Sequence, residues 1–127
     1  MDGRHFPIDI IFRHVDSSES IREDAYQRAL KLAHFSDEIM HCQVVIENHH
    51  HHQNAGNLYH VRIDLKISGT SLVVNRDPDK HLAHKDVYVA IRDAFEAMTR
   101  QLQNHASKKR SHVRHHKDHI PDYDVDG

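Results

Sequence analysis

Two periods of apolar residues divide this chain. Between Phe6 and Val15, Ile8, Ile10 and Phe12 alternate with Asp9, Ile11 and Arg13, which predicts a strand with one strongly apolar face. The period then changes. Ile21, Ala25, Ala29 and Leu32 recur at helical spacing, widened by Leu30 and Ala33, and predict a first helix from about Glu19 to His34. Asp16, Ser17 and Ser18 are its candidate N-caps, and Glu19, Glu23 and Asp24 suit the positive end of its dipole. Alternation returns at Ile39 to Asn48, with Met40, Cys42, Val44 and Ile46 expected to face inward. A polar His-rich segment ending in Asn and Gly suits a hairpin loop.

Leu58 to Ser68 gives the clearest strand. Tyr59, Val61, Ile63, Leu65 and Ile67 share one face, and His60, Arg62, Asp64 and Lys66 share the other. Ser68, Gly69 and Thr70 turn the chain into a fourth strand, SLVVNRD, and Pro78 marks the connection beyond it. From His84 to Arg110, Val87, Ile91, Ala94, Phe95, Met98 and Leu102 form the apolar stripe of a second helix. Lys85, Arg92, Glu96, Arg100 and Gln103 fall on its opposite side, and Lys108, Lys109 and Arg110 follow the end of the stripe. The order β-α-β-β-β-α predicts an α+β two-layer sandwich with a four-stranded sheet and both helices on one face, because helices on the other would cover His60, Arg62, Asp64 and Lys66. Residues 1–110 are expected to form this domain, and 111–127 a polar, His-rich, disordered tail.

Composition narrows the classes. A chain of 127 residues suffices for one domain with a real core. No apolar run is long enough to span a bilayer and MDGRHFPIDI lacks a signal-peptide core, so a soluble cytoplasmic protein is expected. Cys42 is the single cysteine and, within an apolar alternation, is expected to be buried and inert. The net charge of −2 conceals an uneven distribution: residues 84–117 hold eight Lys or Arg against three acids, and the last ten hold four aspartates. Sixteen histidines would add positive charge on mild acidification.

Asp86, Tyr88, Ala90 and Ile91 at the second helix, followed by Arg100, Gln101 and Leu102, resemble the Asp-x-Tyr-x-Ala-Ile and Arg-Gln-Leu signatures of the ribosome hibernation-promoting factor family, also called ribosome-associated inhibitor proteins. Arg22, Arg28, Lys31 and Leu32 stand where that family commonly has a basic residue or leucine, and the resemblance covers about residues 6–110. It implies a fold similar to double-stranded RNA-binding domains. It also implies a translation inhibitor used in stasis, which occupies the messenger and transfer RNA sites of the small ribosomal subunit. The residues implied to contact ribosomal RNA phosphates are Arg22, Arg28, Lys31, Lys85, Arg92, Arg100, Lys108, Lys109 and Arg110. No cofactor is implied, and a monomer is expected off the ribosome. Ala97, Asn104 and Ala106 depart from the pattern where lysines are expected.

Other chemistries have less support. His49, His50, His51 and His52 could ligate metal, but adjacent histidines on a loop do not define a closed tetrahedral site, and adventitious affinity is the preferred reading. A His-rich metal-binding protein is therefore the alternative, with a family-fold protein adapted to a protein partner as a third reading, suggested by the missing lysines and the acidic end DYDVDG. His14 with Asp16 or His84 with Asp86 could be drawn as a base and its orienter, yet no nucleophile stands beside them and no glycine-rich phosphate loop is present. The chain is not expected to be an enzyme.

Overall fold

Strand β1 (Ile8–Arg13) runs parallel to β2 (Ile39–Asn48), and helix α1 (Glu19–Lys31) makes the crossover between them. This computed structural model describes residues 6–48, 58–75 and 86–119, with side chains as far as Lys108. β3 (Tyr59–Ile67) pairs antiparallel with β2, and β4 (Thr70–Asn75) antiparallel with β3, so the sheet order is β1-β2-β3-β4. Helix α2 (Val87–His119) follows. The β-α-β-β-β-α order and two-layer α+β sandwich expected from the sequence are therefore the architecture.

The Ser18 side chain caps α1, its Oγ accepting from the Ile21 N–H at 3.3 Å. The helix tightens into a 3-10 turn over Leu32–His34, closed by the Phe35 N–H donating to the Leu32 carbonyl at 3.0 Å. Ala25 and Ala29 are fully buried, and these small side chains let α1 lie close on the sheet. At the tight β3–β4 hairpin, Gly69 takes φ +88°, a left-handed conformation that a side chain disfavours.

One apolar core joins both helices to one face of the sheet, with Cys42, Val44, Ile46, Val61, Ile63, Leu65 and Ile67 beneath Ile91, Ala94, Met98 and Leu102. Met40 is a correction. The β2–β3 register shifts between Ile39 and His41, so Ile39 packs against the core while Met40 is 53% exposed. α2 also continues beyond the boundary at residue 110 that the end of the apolar stripe suggests, reaching His119.

Cys42 is fully buried, and burial, followed by the nearby Asp64 and Asp9 charges, pushes its thiol up to about 12. Native protein should resist iodoacetamide at mildly alkaline pH and react once unfolded in urea; rapid alkylation of the native chain would contradict this burial. The shift also has a stability consequence. Above an ordinary thiol value of 9.0 the unfolded chain loses a proton that the folded chain keeps until about 12, so stability should fall as pH rises across that window.

Candidate nucleic-acid interface

The two helices lie side by side over the sheet. Near their N-terminal ends the Ser20 and Tyr88 hydroxyls are hydrogen-bonded at 2.9 Å. Further along, Arg28, Lys31 and Phe35 from the end of α1 and its following turn meet Arg92, Phe95, Glu96, Thr99 and Arg100 from α2 around a groove of about 320 Å³. Four of the sequence-predicted phosphate contacts thus converge on one site: Arg28, Lys31, Arg92 and Arg100.

Their availability differs. The Arg28 Nε donates to Asp24 at 3.0 Å, one helical turn away. Arg92 donates to the Asp93 carboxylate at 3.0 and 3.2 Å and lies 3.9 Å from Glu96. These exposed or half-buried pairs stabilise the fold little and can be exchanged for another anion. Lys31 and Arg100 are exposed and have no ion pair among the described residues. They are the least compensated charges of the groove. The Thr99 hydroxyl is engaged, donating to the Phe95 carbonyl at 2.9 Å.

Of the remaining predicted contacts, Arg22 and Lys108 lie outside this groove. Arg22 is tied to the sheet: its Nη1 donates to the Ile10 carbonyl at 3.3 Å and its guanidinium sits 5.2 Å from the centroid of the Phe12 ring. Its place at the edge of the apolar stripe suggests a buried stem with its head in water; the head is instead held against β1. Lys108 is exposed on α2, roughly 12 Å along the helix axis from Arg100 at 1.5 Å per residue. Lys109 and Arg110 belong to α2, whereas Lys85 and the run His49 to His52 lie outside the described residues. Ala97, where the family pattern has a lysine, is partly buried and packs against the core. Among the described residues no cluster of His, Cys, Asp or Glu could hold a metal ion, and no helix is long and apolar enough to cross a membrane.

Signature residues chiefly build the fold. Asp86 caps α2, its Oδ1 accepting from the Tyr88 N–H at 2.9 Å and its carbonyl from the Ala90 N–H at 3.1 Å. Ala90, Ile91 and Leu102 are buried. Gln101 has a role that its sequence position does not reveal: its Nε2 donates to the Val73 carbonyl at 3.0 Å, fastening α2 to edge strand β4. Asp86→Ala should lower stability by about 1 kcal/mol, read as a lower urea midpoint with unchanged denaturant slope; an unchanged midpoint would contradict the capping role.

The opposite face of the sheet carries a second depression, of about 470 Å³, lined by Arg13, Gln43, Val45, Glu47, His60, Arg62, Asp64 and Asn75. Both charge signs are mixed there. Arg62 is gripped by Asp64 at 2.9 and 3.3 Å, and that carboxylate raises its already high pKa. The charge pattern on this face suits an anion less well than the helix groove.

With both surfaces described, the comparisons define the class. Residues 8–110 match the family model described as Sigma 54 modulation protein / S30EA ribosomal protein. The chain belongs to this family, a family of ribosome-associated factors that includes the hibernation-promoting proteins its helix signatures resemble. Among solved structures, it is similar to the Thermus thermophilus Protein Y N-terminal domain, with TM-score 0.60 and 20% identity over 76% of this chain and 93% of that one. It is also similar to a ribosomal subunit interface protein from Coxiella burnetii, with TM-score 0.62 and 16% identity over 80% of this chain and 99% of that one. At these identities the structural likenesses establish the fold. No curated protein sequence matches the chain.

Proposed function

We propose that this protein silences translation by laying its α1–α2 face on the RNA of the small ribosomal subunit, so that its volume excludes messenger and transfer RNA. One observation carries the reading: in a chain of this ribosome-associated family, basic residues far apart in sequence, Arg28 and Lys31 with Arg92 and Arg100, converge on one groove. Phosphate binding by such a groove releases counterions and provides affinity without covalent chemistry. Lys85, Lys108, Lys109 and Arg110 are further phosphate contacts in this reading, while Arg22 chiefly anchors α1 to β1. The site of action is the cytoplasm, under conditions in which ribosomes stand idle.

Occlusion is tested by filter binding. Small subunits incubated with increasing amounts of the protein should lose the ability to retain labelled transfer RNA and messenger together, with half-inhibition near an equimolar ratio when subunits are well above Kd. Full retention at saturating protein would refute occlusion even if the protein bound.

A further inference from the structure

The helix groove contains a group that phosphate binding does not use. Phe35 is 38% exposed in the turn that ends α1, and it lines the same groove as Arg28, Lys31, Arg92 and Arg100. Its backbone is fixed by the bond to Leu32, and Phe95, only 4% exposed, also lines the groove. An aromatic ring left partly in water loses the burial that would ordinarily justify its position. Beside cations it acquires another use, because an aromatic side chain can stack on an unpaired nucleobase while Lys and Arg hold the phosphate.

We infer that the α1–α2 groove takes an unpaired RNA nucleotide, with its base stacked on Phe35 and its phosphate held by Lys31 and Arg100. This rests on the RNA-binding reading above and adds the form of RNA that the groove selects. A regular duplex keeps its bases stacked inside and offers phosphates and ribose edges, which would engage the cations and leave the ring without a base. Among the described residues, Glu96 lines the groove and carboxylates pair with its Arg28 and Arg92, and these negative charges disfavour a second phosphate more than a neutral base. The mixture of exposed ring, two uncompensated cations and adjacent carboxylates therefore fits one nucleotide better than a tract of phosphates.

The chain contains no tryptophan, so the F35W variant of the full 127-residue protein carries one indole, placed at this groove. Titrated with a short oligoadenylate at low salt, its emission should be quenched saturably, and an RNA duplex of equal length should quench it much less. F35A should bind the oligoadenylate about tenfold more weakly while binding the duplex nearly as before. F35L retains apolar bulk and protects against a folding artefact; it should show most of the same loss while its thermal unfolding matches wild type.

Unchanged F35W emission while anisotropy reports binding would overturn the stacking and leave the phosphate-binding reading intact. Wild-type affinity in both F35A and F35L would have the same meaning. Quenching by intact small subunits but not by oligoadenylate or protein-free ribosomal RNA would place a ribosomal protein against Phe35 and overturn the proposal. If wild type binds neither RNA nor subunits, the broader reading fails together with this one.

Discussion

Charge reversal at Lys31 and Arg100 together should weaken binding to vacant small ribosomal subunits by about a hundredfold at low salt. Each is an exposed cation of the helix groove with no ion pair among the described residues, so each can give a phosphate a charge-assisted bond. At about 1.5 kcal/mol or more per such bond, two losses amount to at least two decades in Kd. The salt dependence gives an independent reading. Removing two phosphate contacts should make the slope of log K against log salt shallower by about 1.5. Lys66 provides the control, since it is exposed on the opposite face of the sheet. Lys66→Glu changes net charge equally per site and should leave both affinity and slope near wild type. Equal weakening by Lys66→Glu would mean that overall charge, rather than the groove, governs binding.

Ile91→Ala should reduce folding stability by about 2–5 kcal/mol, the range for truncating a fully buried branched side chain. Ile91 is 0% exposed within the core that joins α2 to the sheet, so its removal leaves a cavity under the helix that carries Arg92 and Arg100. Ile91→Val removes one methylene and should cost about 1 kcal/mol. Urea unfolding at constant slope measures both. A midpoint for Ile91→Ala equal to wild type would show that α2 is not docked as described. Under conditions where the alanine variant remains folded, it should retain the wild-type salt slope, because no phosphate contact has been removed. That separates a residue that holds the site in place from one that forms it.

The strands are legible in the sequence because each buries one face, and successive side chains of an extended backbone point to opposite faces, which imprints a two-residue period. Met40 shows the limit: alternation assumes an unbroken register, and the irregularity between Ile39 and His41 exchanges which neighbour faces inward. The apolar stripe of α2 marks where the helix stops covering the core, but a helix can continue past that point, and this one reaches His119. Single site residues are readable as basic positions on helix faces. Their meeting is not. The groove joins side chains around position 30 to others around position 95, and only the packing of α1 beside α2 brings them together. Arg22 precedes Arg28 on the same helix but reaches the Ile10 carbonyl and the Phe12 ring, contacts that depend on where β1 runs. Phe35 carries one faint signal, an aromatic three residues after Leu32 that falls just past the predicted end of the first helix at His34.

Sedimentation of the 127-residue protein with vacant small ribosomal subunits over a series of salt concentrations tests the central claim most directly. Saturation near one protein per subunit, with binding that weakens steeply as salt rises, is the predicted result. Absence of co-sedimentation at low salt, or binding that is indifferent to salt, would contradict an interface built on phosphate contacts from the α1–α2 face.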